Sequence, residues 1–152
     1  MSNRSAFRAS PPARASIGGQ PLFGVFMAVP AVCFVGALLT DFTYSRSPDM
    51  QWTNFSAWLL AFGELFGSLA LLIALIDLSH ADVRRIAAAR WRAVGLIVVL
   101  VLGLFNNFVH SRDAWTSVVP QGLILSVVTV LVLLPTLWLG RSLTYRHRVG
   151  VA

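Results

Sequence analysis

Four apolar segments, each about as long as a bilayer is thick, constrain this chain more than any other feature. They run over about residues 21–42, 55–78, 90–110 and 119–140. Each supplies the ~20 residues that a helix needs to cross a hydrocarbon core at about 1.5 Å rise per residue. In lipid, backbone N–H and C=O groups find no water, so a spanning segment must satisfy them internally as a helix or a closed barrel. A barrel needs alternating strands of about ten residues, and the chain carries no such pattern. The predicted fold is therefore an all-α integral membrane four-helix bundle. Its connections are short, so neighbouring helices should pack antiparallel, up-down-up-down. Composition agrees: 57% of residues are hydrophobic and 12% charged, against roughly a quarter charged in a soluble domain. The 152 residues leave no room for a second, soluble domain.

Around this domain, taken as residues 21–142, the sequence places two tails. Residues 1–20 are rich in Ser, Ala, Pro and Gly, hold Arg4, Arg8 and Arg14 and no acid, and read as a disordered basic tail. The apolar run after it exceeds a signal-peptide core and no small-residue cleavage site follows, so a retained first helix is expected. Residues 143–152 read as a short second tail.

All twelve basic residues are arginines, giving a formal charge of +6. Such an excess invites a nucleic-acid reading, and its distribution excludes one. Ten arginines lie in the N-terminal tail, the second connection (Arg84, Arg85, Arg90, Arg92) and the C-terminal segment (Arg141, Arg146, Arg148). Only Arg46 and Arg112 fall in the first and third connections. That asymmetry predicts both termini and the central connection in the cytoplasm of a bacterial inner-membrane protein. The arginines then face anionic lipid headgroups. Tyr44, Trp52, Trp58 and Trp115 should form the outer aromatic belt, and Trp91, Trp138 and Tyr145 the inner one.

Polar residues at membrane depth are the candidate functional groups. Glu64 is near the midplane, where an ionised carboxylate is costly, so it should be protonated or paired. Ser126 and Thr129 of the fourth helix fall at similar depth and are its expected hydrogen-bond partners; a proton relay is the functional alternative. Asp77 should pair with Arg84 or Arg85. The densest polar stretch is Asn106, Asn107, His110, Arg112, Asp113 and Trp115, with Asp41 on the same side. Asn106 and His110 are four apart and share a helix face. They read as a hydrogen-bonded cap over the bundle, with Arg112 and Asp113 pairing locally or with Asp41. The sharper reading is a small outer-side site or docking surface centred on His110. Gly63, Gly67, Ala70 and Ala74 form a small-residue stripe for close helix packing, within the bundle or in a dimer.

Cofactor chemistry finds little support. Of three histidines, His80 and His147 are on one side and His110 on the other, so bis-histidine haem ligation lacks a second imidazole at one depth. His110 with Asp41 falls short of a zinc or copper ligand set. No metal is expected, and haem b remains only an alternative. Signature motifs of phosphate loops, zinc hydrolases and serine hydrolases are absent. Cys33 lies at lipid depth, with no second cysteine to pair with.

The segments Cys33–Tyr44 (CFVGALLTDFTY), Phe55–Gly63 (FSAWLLAFG), Phe108–Ser126 (FVHSRDAWTSVVPQGLILS) and Tyr145–Val151 (YRHRVGV) resemble domain-of-unknown-function family 2231. The resemblance covers nearly everything from Gln20 onward and implies small four-helix bacterial membrane proteins. It implies no activity, although some relatives occur beside or joined to periplasmic sugar-dehydrogenase-type domains. Many relatives begin the first helix with His-Pro-x-His-Pro, where this chain reads Gln20, Pro21, Leu22, Phe23, Gly24. Relatives also carry a histidine and then an asparagine at the start of the third helix, where this chain has Arg92 and Leu96. If those histidines hold a haem or metal, this chain has lost most of that site and kept His110, Arg112 and Asp113. The expected function is a non-catalytic accessory, anchoring or assembly subunit of a larger membrane complex, of redox or energy-converting type. Its partners would be lipid, other membrane subunits or further copies of itself. A haem- or metal-binding electron carrier between quinone and a periplasmic dehydrogenase, and a small proton or solute transporter using Glu64, are the alternatives.

Overall fold

A computed structural model of the chain describes residues 16–17, 20–112 and 118–146. The chain is almost wholly helical. Helix α1 spans Leu22–Arg46, α2 Met50–Ser79, α3 Ala81–Arg84, α4 Ala87–His110 and α5 Leu123–Arg146, the last preceded by a kinked stretch at Val118–Gly122 in which Val119 is extended. Four of these stretches are long and apolar enough to cross a membrane; α3 is a single turn in the central connection.

The helices outrun the apolar segments that announce them. Helix α2 begins five residues earlier than expected because Asp49 caps it, its carboxylate accepting from the Gln51 backbone N–H at 2.9 Å. Only Ser47, Pro48 and Asp49 separate it from α1. At 30 residues α2 is about 45 Å long, well beyond a ~30 Å hydrocarbon core, so its polar first turns belong to the headgroup region. Helix α5 likewise runs past residue 142 to Arg146.

Just before α1, Ser16–Ile17 pairs antiparallel with Gln20–Pro21. Residues 1–15 lie outside the described residues, as do Asp113, Trp115 and residues 147–152.

Buried positions recur at alternating steps of three and four. On α2 they are Thr53, Ser56, Leu60, Gly63, Gly67, Ala70, Ala74 and Asp77. On α5 they are Ser126, Thr129, Leu133, Thr136, Gly140 and Leu143. A 3.5-residue period is that of helices meshing side chains along a continuous seam. The seam is distinguished by smallness and polarity, since lipid-facing residues are as apolar as those inside. Gly63, Gly67, Ala70 and Ala74 face inward together, the two alanines fully buried. The fully buried Phe34 ring of α1 fits between Gly63 of α2 and Gly103 of α4, and Pro30 and Leu100 pack on Gly67. Trp58, Trp91, Trp138 and Tyr145 point outward. Tyr44 departs from the expected belt: it is buried, because it continues the inward stripe of Ala37 and Asp41 on α1.

Candidate functional site

Three polar layers lie along the bundle. The first occupies the end where α1 and α4 finish and α2 and α5 begin. Asp41 of α1 is fully buried there and takes part in three hydrogen bonds. Ser56 Oγ of α2 donates to its Oδ1 at 2.5 Å, and Ser126 Oγ of α5 donates to its Oδ2 at 2.5 Å. His110 Nε2 of α4 lies 2.8 Å from Oδ1. All four long helices therefore meet on one carboxylate.

Further bonds fix the donors. Asn106 Nδ2 donates to Ser126 Oγ at 2.7 Å. Thr40 Oγ1 lies 2.7 Å from Ser56 Oγ and also reaches the Gly36 and Ala37 carbonyl oxygens at 3.1 and 3.0 Å. His110 Nδ1 is 2.9 Å from the carbonyl oxygen of Asn106, one turn earlier. A carbonyl only accepts, so Nδ1 carries a hydrogen. One proton is then shared between Nε2 and Oδ1, as imidazolium with carboxylate or imidazole with carboxylic acid. Either form is neutral overall, which lowers the cost of placing ionisable groups at this depth. Gly122 makes room for the ring: a Cβ there would stand 2.8 Å from His110 Cε1.

This layer joins Asp41, Asn106, His110 and Ser126 and leaves out other residues of the same stretch. Arg112 is exposed rather than paired with Asp41, whose acceptor positions are occupied from within the bundle. Asn107 is half-buried, and its carbonyl oxygen accepts from the Ser111 backbone N–H. Asp113 and Trp115 lie outside the described residues. Ser56 and Thr40 were missed in the sequence. The available signal was the small-and-polar spacing on α2, which includes Ser56.

The second layer is Glu64, at the middle of α2. The expected bond to Ser126 or Thr129 is absent: Ser126 serves Asp41, and the Thr129 hydroxyl donates to the Leu125 carbonyl at 2.7 Å. Glu64 Oε1 is buried without a hydrogen-bond partner and lies against Gly103, where a Cβ would collide with it. Depth alone had suggested the hydroxyls. The rotation of α2 instead directs the carboxyl to α4.

The third layer is at the opposite end. Asp77 pairs with Arg92, Nη2 to Oδ2 at 3.1 Å, both side chains buried. This corrects the expected pairing with Arg84 or Arg85, which are exposed. Arg92 lies on the buried seam of α4, whereas Arg84 at the end of α3 is exposed. The Arg92 guanidinium also stacks over the Phe23 ring, Cζ 4.0 Å from the centroid. Phe23 of α1 and Arg92 of α4 are thus neighbours across the bundle. Among the described residues, no three His, Cys, Asp or Glu side chains converge as metal ligands would.

Four apolar helices drawn together on buried polar layers define a multi-pass membrane protein. The chain belongs to the family described as predicted membrane protein (DUF2231), whose sequence model matches residues 19–152. No curated protein and no solved structure matches it.

Proposed function

We propose that the protein is a non-catalytic subunit of the bacterial cytoplasmic membrane that anchors or assembles a larger complex, of redox or energy-converting type. The termini and the central connection face the cytoplasm in this reading, which the ten arginines in those segments support. One observation carries it. The densest polar cluster takes one side chain or more from each long helix and is closed: Asp41, Ser56, Asn106, His110 and Ser126 are all buried and linked by hydrogen bonds. A site that turned over substrate would hold some of these groups open to it. What the domain presents outward is a wall of apolar and aromatic side chains, suited to lipid and to other membrane helices.

No cofactor belongs to this reading. Both ring nitrogens of His110 are engaged, Nδ1 by the Asn106 carbonyl and Nε2 by Asp41, so neither offers a lone pair to iron. An absorption spectrum of the purified protein should show no Soret band. The observation that favours a second reading, proton movement, is the unpartnered Glu64 oxygen. Replacing Glu64 with Gln should leave fold and function unchanged if the carboxyl is structural, and abolish function if it carries protons. The main reading is tested by gentle extraction and native mass measurement, which should find the chain bound to other membrane subunits.

A further inference from the structure

A lateral groove runs between the start of α1 and the end of α5, with a volume of about 460 Å³. Its deep part is lined by Met27, Ala28, Ala31 and Leu137, and its mouth by Gly24, Arg141, Thr144 and Tyr145. From Ala31 to Gly24 it extends about 10 Å along the helix axis. The small residues make it: a Cβ on Gly24 would meet nothing within 4 Å. In a bilayer such a groove faces acyl chains, and its size is in the range of specific small-molecule sites.

The charges at the mouth select the occupant. Arg141 is exposed there, and among the described residues no carboxylate pairs with it; its guanidinium lies 5.5 Å from the Tyr145 ring. The other nearby cation, Arg92, sits behind the groove wall formed by Phe23 and Gly140 and is compensated by Asp77. An uncompensated guanidinium one helical turn from a phenol hydroxyl, above an apolar slot, matches a phosphodiester headgroup above a hydrocarbon tail. We infer that this groove is a binding site for one anionic phospholipid, its headgroup on Arg141 and one acyl chain along Ala28 and Ala31.

The full-length protein, purified in mild detergent, would be offered equimolar phosphatidylglycerol and phosphatidylcholine and weighed by native mass spectrometry. One phosphatidylglycerol should be retained in preference to phosphatidylcholine, by about five-fold for one headgroup cation. Arg141→Gln should abolish that preference, whereas Arg146→Gln should leave most of it. Ala28→Phe, which fills the slot, should lower retention of both lipids. Thermal melts of each variant identify any that fail to fold, and Gly24→Leu then replaces Ala28→Phe as the filled-groove variant. Equal retention of the two lipids by the unaltered chain would overturn the inference. So would a groove-dependent adduct with the mass of a neutral amphiphile such as a quinone, or a dimer lost on filling the groove.

Discussion

His110 Nε2 lies 2.8 Å from Asp41 Oδ1, a buried pair that joins residues 69 apart in the chain. It ties the finish of α4 to the finish of α1, and the serines bonded to the same carboxylate bring in α2 and α5. Replacing Asp41 with Ala strands three donors. Membrane hydrogen bonds average about 0.6 kcal/mol, and losing one partner of a buried ion pair costs about 3–5 kcal/mol. The expected loss for Asp41→Ala is therefore about 2–5 kcal/mol, read from denaturation in mixed detergent micelles. His110→Ala should cost less, and the double variant should cost less than the two losses combined, because each single change already breaks the shared bond. Strict additivity would mean that the two side chains act independently.

Glycine substitutions should sort by what each new methyl meets. Gly103→Ala drives a Cβ into Glu64 Oε1 and to 2.8 Å from the buried Phe34 ring, so overpacking of about 1–3 kcal/mol is expected. Combining it with Glu64→Ala should recover only part of that loss, since the Phe34 clash persists. Gly24→Ala meets open space and should be neutral. A melting series in one detergent separates the three.

At the opposite end, Asp77→Ala should destabilise by about 3–5 kcal/mol because it leaves the Arg92 guanidinium buried and unpaired. Arg84→Ala and Arg85→Ala, on exposed side chains, should shift the unfolding midpoint little. Arg92→Lys should not be conservative, because a compact ammonium loses the planar stacking on Phe23. Equal effects of Asp77→Ala and Arg84→Ala would return the pairing to the connection.

Depth was legible in the sequence, and rotation was not. Counting at 1.5 Å per residue placed Asp41, Asn106 and His110 at one end and Glu64 at mid-membrane, and the four long helices appear where the apolar runs are. Which side chains meet depends on how each helix is turned about its axis. In a soluble bundle an apolar stripe reveals that rotation, but here both faces are apolar. So nearness along the chain pairs Asp77 with Arg84 or Arg85, whereas the fold pairs it with Arg92, and depth alone pairs Glu64 with hydroxyls at its level, whereas it faces Gly103. Tyr44 was read as interfacial from its position near a helix end, although its register with Asp41 turns it inward. The alternating three-and-four recurrence of small and polar residues on α2 is the one sequence signal that carries rotation, and Ser56 lies on it.

A closed, non-catalytic domain that holds other membrane proteins, as proposed above, should leave the membrane in their company. Native mass measurement of the tagged full-length chain, extracted into polymer discs without detergent, tests it most directly. A stoichiometric membrane partner should stay bound through purification. A lone monomer at every concentration, with no other protein retained, would contradict it.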